Sequence, residues 1–184
     1  ERLMDFDLEF EERRVAGQGN GHDKEQEVST DLPCLMVLNR ERSMSWILMP
    51  QTIERIKNFV LKYDTDSDPE KLAESVQVNF ASGNKGVLVM VAVQRYKVVG
   101  HLLATMVGES LLGERSADIL QYGHDEDVEI GPEVLRAGLG VVEEWGRRQG
   151  ARNLNLLVKD HALELAYEMC YGFRRHHVQL RKAL

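Results

Sequence analysis

The stretch HDEDVE, residues 124–129, groups side chains that could do chemistry. It begins with His124, includes Asp125 and Asp127, and directly follows the strand-like run ADILQYG. Imidazole and carboxylate groups can bind a metal ion or serve as a general base, and active sites often lie just beyond strand ends. Surface loops are also commonly polar, so an ordinary acidic loop is the alternative that we favour for this segment.

A second candidate is RAGLG, which consists of Arg136, Ala137, Gly138, Leu139 and Gly140. A glycine turn at a helix start can cradle a phosphate, because free N–H groups and the helix dipole attract anions. The same residues can instead lie inside a longer helix that begins at Pro132, with Glu133 in its first turn. We favour the longer helix, because its start and its apolar stripe both fit helical spacing.

Other patterns that suggest metal or nucleophile chemistry fail on inspection. DTDSDPE alternates aspartates as an EF-hand calcium loop does, but Pro69 occupies the sixth position and Ser75 the twelfth. Cys34 and Cys170 are too few for a disulfide framework or a zinc site. We therefore expect no metal site.

Charge is distributed unevenly along the chain. Of a net charge of −7 over 184 residues, residues 1–31 contribute ten acidic and four basic side chains. We expect residues 1–31 to form an acidic extended arm that binds a protein partner or a second copy, and residues 32–184 to form one domain. The sequence has no basic stripe and no long apolar run, so we expect neither nucleic-acid binding nor membrane insertion. We expect a cytoplasmic location.

Hydrophobic periodicity predicts a mixed α/β order of elements from residue 34 onward. The expected order is β, α, α, β, β, β, α, β, α, β, with a tight turn at Arg95 and Tyr96 between two adjacent strands. Pro50 is placed in the first turn of a helix over residues 49–63, and Asp68 and Pro69 at the start of the next helix. The predicted class is a mixed sheet covered by helices.

Three stretches resemble the GNAT superfamily of N-acyltransferases. YKVVGHLLATM is similar to its strand pair with a Val-Gly turn, and VVEEWGRRQGARNLNLLV to its long helix, glycine turn and fifth strand. ALELAYEMCYGF followed by RRHHVQLRK resembles its late helix, Gly-Phe turn and closing strand. The resemblance covers about residues 33–184 and implies a central mixed β-sheet of about six strands flanked by about four helices. The helix and the RK.L ending look most like compact bacteriophage-encoded members.

The resemblance also implies chemistry. Acetyl-CoA would donate an acyl group to an amine, with its pyrophosphate held by Arg136–Gly140. Glu129 and Asp125, with Asp127, become candidate bases near the end of the strand that would face the thioester, and Tyr167 becomes the candidate acid for the departing thiolate.

Two motifs depart from the family pattern. Arg136 precedes Gly138 by two positions, where the family has three. The family's tyrosine lies four residues before the glycine of Gly-Phe, a position occupied here by Glu168, one step from Tyr167. Two hypotheses follow: an acetyl-CoA-dependent N-acyltransferase with a divergent cofactor site, or a catalytically silent GNAT-fold assembly protein, such as a phage virion component, that binds partners through residues 1–31.

Overall fold

The chain divides into two units, Glu1–Thr30 and Asp31–Leu184, and the second contains every residue described below. The computed structural model describes residues 33–64, 67–108, 114–125, 128, 131–156 and 170–174. No helix within these ranges is long and apolar enough to cross a membrane.

A five-stranded mixed sheet forms the centre of the described domain. Its strands follow chain order across the sheet, so each strand lies beside the next one in sequence. The first four pair in antiparallel fashion, whereas the last pair is parallel. The strands are β1 (Cys34–Val37), β2 (Val87–Gln94), β3 (Lys97–Val107), β4 (Ser116–His124) and β5 (Asn153–Leu156).

Three helices with described bounds accompany this sheet, and the order of these elements confirms the predicted mixed α/β class. They are α1 (Ser43–Tyr63), α2 (Pro69–Ser82) and α3 (Pro132–Arg148). The predicted start of α2 is confirmed, because the Asp68 side chain accepts hydrogen bonds from the backbone N–H groups of Glu70 and Lys71. The helix ends at Gly83, whose φ of 69° lies in the left-handed region that favours glycine.

The expected start of the first helix was wrong. α1 begins at Ser43, so Pro50 lies in the helix interior rather than in its first turn. A proline there removes one backbone hydrogen bond and normally disfavours a helix. Burial compensates, because Leu48 and Met49, just before the proline, are 1% and 3% exposed in the core.

Each face of the sheet carries its own hydrophobic cluster. On one face, Ile56 of α1 and Val76 of α2 pack with Val91 and Leu103 of the sheet. On the other face, the cluster includes Leu139 and Val142 of α3 together with sheet residues such as Leu102 and Ile119. The alternation of side chains along each strand separates these two cores.

The predicted last helix (161–172) and closing strand (173–182) lie mostly outside the described residues. Cys170 and Tyr171 are helical, as expected for the end of that helix. Tyr171 and Phe173 pack against the cluster on the α3 face.

Candidate functional site

A β-bulge in β4 marks the point where the parallel pair with β5 ends in the described chain. Leu103 pairs with Gln121 and Ala104 with Ile119, so Leu120 is an extra residue in β4. The last described β4–β5 pair is Ile119 with Leu156. Bulges bend a strand and are frequent beside active sites. The C-terminal half of β4 is thereby re-aimed just before the chain enters α3.

The helix interpretation of RAGLG is confirmed. α3 begins at Pro132, and Arg136–Gly140 lie within it, where backbone N–H groups bond to carbonyls four residues earlier. These amides are not available to a phosphate, so the assignment of the five residues to a phosphate loop does not fit the structure. Leu139 is buried in the core, while Arg136, Ala137 and Gly140 are exposed.

Gly138 serves packing between α3 and the sheet. A Cβ at this position would lie 3.1 Å from Cε of Met90 and 3.6 Å from a methyl of Leu35. Gly140, one half-turn further, has nothing within 4 Å of such a Cβ. The close approach of helix and sheet therefore explains why residue 138 is a glycine. No contact explains the glycine at position 140.

The first turn of α3 is a poor anion site. Its cap residue, Gly131, contributes no side-chain hydrogen bond, and its carbonyl accepts from the N–H groups of Val134 and Leu135 at 3.1 and 3.2 Å. Pro132 has no N–H to donate, and Glu133 adds a negative charge. A carboxylate in this position stabilises the helix dipole but repels a pyrophosphate.

A small apolar groove lies between the N-terminal half of α3 and the sheet. Its volume is about 70 Å³, well below the roughly 300 Å³ at which ligand pockets begin. The groove could take an acyl group but not a whole nucleotide cofactor. Its lining includes Ala92, Gly100, Leu102, Tyr122, His124 and Gly138.

Asp125, a candidate base, is held in ion pairs at the end of β4. Its carboxylate accepts a hydrogen bond from Arg55 at 2.5 Å, and Lys97 Nζ lies 3.6 Å away. Burial raises the pKa of Asp125, but the hydrogen bond and charge of Arg55, with the charge of Lys97, outweigh it and leave the pKa below its ordinary value. A carboxylate that is so stabilised in its charged form is a weak base.

Two side chains of α1 fasten that helix to the start of β3. The Gln51 side-chain oxygen accepts a hydrogen bond from the N–H of Val98 at 3.0 Å, and Arg55 donates to the Val98 carbonyl at 3.4 Å. The backbone N–H of Asp125 donates to the Val99 carbonyl at 2.8 Å. We call Gln51, Arg55 and Asp125, with the ion pair to Lys97, the hairpin clamp.

Next to the clamp lies a buried polar cluster that sequence reasoning missed. His101 and Gln121 are 6% and 5% exposed, on the face of the sheet covered by α1. Neither ring nitrogen of His101, nor the Gln121 oxygen, nor Nε of Arg55 has a hydrogen-bond partner among the described residues. Buried unpaired polar atoms in folded proteins are few, which makes their grouping here notable. The signal in the sequence is a lone histidine in the otherwise apolar run VVGHLLA.

Burial also governs the ionisation of His101. Loss of solvation, together with the charge of Arg55, lowers its pKa from 6.5 to about 4, and nearby Gln121 acts weakly in the opposite direction. The Gln121 side chain is close, but neither His101 nitrogen forms a hydrogen bond with it. Phe59 covers the ring edge-on, with centroids 5.6 Å apart. His101 is therefore neutral at pH 7.

The other candidate residues of the sequence analysis are not brought together in the described part. Glu129, Asp127 and Tyr167 lie outside the described residues. His124 is exposed, with Nδ1 2.9 Å from the carbonyl oxygen of Asp125. Within the described ranges, no group of three His, Cys, Asp or Glu side chains is placed to hold a metal ion.

Comparison with solved structures identifies the fold. The sequence matches no protein-family model and no curated protein at a significant level. A predicted acetyltransferase with acetyl-CoA from Clostridium acetobutylicum is similar over 83% of this chain and 96% of its own, at a TM-score of 0.60 and 11% identity. Glucosamine-6-phosphate N-acetyltransferase from Arabidopsis thaliana is similar over 82% of this chain and 98% of its own, at a TM-score of 0.59 and 13% identity.

An aminoglycoside acetyltransferase from an uncultured soil metagenomic sample, solved in complex with sisomicin, is also similar. It covers 83% of this chain and 97% of its own, at a TM-score of 0.56 and 18% identity. At such identities, the likeness concerns the fold. Together with the mixed sheet and its β4–α3–β5 unit, it shows that the described domain has the fold of the GNAT acetyltransferases.

Proposed function

We propose that this chain is an N-acyltransferase that uses acetyl-CoA through a divergent cofactor site. The observation that carries the proposal is the bulged β4 strand followed by α3 and the parallel strand β5, in a fold shared with acetyltransferases. One of those similar structures holds acetyl-CoA. The apolar groove beside Tyr122 and Gly138 supports the same function, because its size suits an acyl group.

The described residues do not fit the pyrophosphate of acetyl-CoA at the start of α3. Arg136–Gly140 are helical, Pro132 lacks a donor and Glu133 carries the wrong charge. Any binding must therefore use other contacts. Among the described residues, those of β4 and the groove would hold only the acyl end of the ligand.

The assignment of a base in this proposal remains a prediction. Of the candidate bases, Asp125 alone lies within the described residues, and its ion pair with Arg55 suits it to hold the β4 end in place rather than to accept a proton. Glu129 therefore remains the first candidate for the base, and Tyr167 the candidate acid.

Calorimetry with acetyl-CoA tests this proposal directly. We expect binding at micromolar concentration, with little change in affinity for either Glu133→Gln or its matched control Arg136→Gln, because the start of α3 does not hold the pyrophosphate. An absence of binding at millimolar acetyl-CoA would contradict the proposal.

A second candidate is a catalytically silent assembly protein, and the α3 N-terminus favours it. Pro132 and Glu133 are what a helix start needs for stability, not what an anion needs. Under this hypothesis, residues 1–31 bind a protein partner or a second copy, in a host cytoplasm or, if the protein is phage-encoded, in a virion. Deletion of residues 1–31 should abolish association, measured by analytical ultracentrifugation, and leave the core folded. Unchanged association would count against it.

A further inference from the structure

The turn between β2 and β3 holds two residues in an unfavourable backbone conformation. Gln94 pairs with Lys97, so Arg95 and Tyr96 alone form the turn, with φ angles of 50° and 64°. Two-residue hairpins with positive φ at both positions strongly favour Asn-Gly, because a Cβ crowds the backbone in the left-handed region. Arg95 and Tyr96 therefore occupy positions that a purely structural turn would give to other residue types.

The hairpin clamp explains how this strain persists. Immediately after the turn, Lys97 reaches the Asp125 carboxylate, and the N–H and carbonyl of Val98 bond to Gln51 and Arg55. Strained backbone survives only where the surrounding structure over-determines it, and it concentrates at functional sites. The turn is thus held from α1 and from the end of β4 at once.

The side chains that the turn displays suit recognition of an anionic group. Arg95, Tyr96 and Lys97 are consecutive and exposed, and Tyr96 is 82% exposed. Arginine binds carboxylates through two parallel hydrogen bonds, and arginine and tyrosine are enriched among residues that dominate binding energy. A ligand that matches such a cluster carries a carboxylate, together with an adjoining part that can pack against the tyrosine ring.

The turn lies at the end of the sheet where β4 finishes. Gly100 pairs with His124, and the N–H of Asp125 bonds to the Val99 carbonyl, so the start of β3 runs beside the end of β4. Ligands of α/β sheets bind beyond the carboxyl ends of such strands. The turn is therefore at the same end of the sheet as the carboxyl end of β4.

We propose that Arg95, Tyr96 and Lys97 form a recognition site for the acyl acceptor, and that this acceptor is an amine that also carries a carboxylate. Arg95 binds the carboxylate, Tyr96 packs against the adjoining part of the molecule, and Lys97, ion-paired with Asp125, holds the end of the turn in place. The role of the ligand as acceptor rests on the proposed function; its binding to the turn does not.

The double variant Arg95→Asn/Tyr96→Gly tests the strain. It supplies the residues that the turn conformation favours, so the melting temperature should rise by about 2–6 °C, net of the greater freedom of glycine in the unfolded chain. A fall in melting temperature would overturn the premise that the native residues are strained. Val78→Ala, at an exposed position of α2, is the control.

Glycylglutamate and its diamide, which keeps the amine but has no carboxylate, test the ligand. The wild-type chain should bind the acid at least tenfold more tightly by calorimetry, with NMR shifts at the amides of residues 95–97, and the double variant should lose that preference while keeping its affinity for acetyl-CoA. Val78→Ala should behave as wild type. Equal binding of acid and diamide, or an unchanged preference in the double variant, would overturn the proposal. Acid-selective binding without acetyl-CoA binding would instead contradict the proposed function and leave the recognition site standing.

Discussion

The two faces of the sheet are packed by different means. Beneath α1, polar side chains lie buried: within the described chain, the His101 ring nitrogens and the Gln121 side-chain oxygen have no hydrogen-bond partner, and Arg55 is paired with Asp125. Beneath α3, contact is apolar and close, and small residues set the distance: a Cβ at Gly146 would lie 3.1 Å from Cβ of Ala117. Stability on the α3 face is thus sensitive to volume, whereas on the α1 face it is sensitive to ionisation.

The largest expected effect is on the α3 face. Gly146→Val places a branched side chain against Ala117, which is 1% exposed and cannot move away as a flexible side chain would. We expect a loss of about 3 kcal/mol in the free energy of unfolding, measured by urea denaturation, at the upper end of the roughly 1–3 kcal/mol that overpacking of a tight contact typically costs. A change below about 1 kcal/mol would show that α3 is not held at this distance.

Lowering the pH should destabilise the protein through the α1 face, with a similar loss in the free energy of unfolding. Because the pKa of His101 falls from 6.5 to about 4 on folding, the unfolded chain binds the proton more readily, and stability is lost as pH falls from 6.5 towards 4. The loss attributable to His101 reaches about 3 kcal/mol by pH 4, at about 1.4 kcal/mol per pH unit.

A comparison of the unfolding free energy of His101→Gln and wild type as a function of pH isolates the contribution of His101, because Asp125 titrates in both proteins. The difference in unfolding free energy between the two should change with pH over this range. His124→Gln removes an exposed histidine and is the matched control. A parallel pair of profiles for wild type and His101→Gln would refute a buried neutral imidazole.

The smallest effect has the opposite sign. Gly140→Ala adds a methyl group where nothing lies within 4 Å, in a helix interior. Alanine should stabilise α3 by about 1 kcal/mol, which corresponds to a rise of about 2–4 °C in melting temperature for a domain of this size. Destabilisation would indicate that residue 140 contacts something beyond the described residues.

Prediction from sequence succeeded where the pattern is local. The α2 start follows from Asp68 and Pro69, whose side chains act within one helical turn. It failed at Pro50, where local propensity argues for a helix start and burial of Leu48 and Met49 overrides it. His101 escaped notice because its lack of hydrogen bonds depends on residues 46 positions earlier and 20 later, such as Arg55 and Gln121.

By itself, the sequence determined the order of the described strands and helices, the helical nature of RAGLG and the tight turn at Arg95 and Tyr96, because each depends on neighbours within a few residues. Only the tertiary structure decided that Asp125 forms an ion pair with Arg55, since the two are 70 residues apart in the sequence. The tertiary structure also decided that α3 contacts the sheet closely at Gly138 and that the turn at Arg95 and Tyr96 is held under strain. Burial and charge pairing are properties of the assembled fold, and no local pattern encodes them.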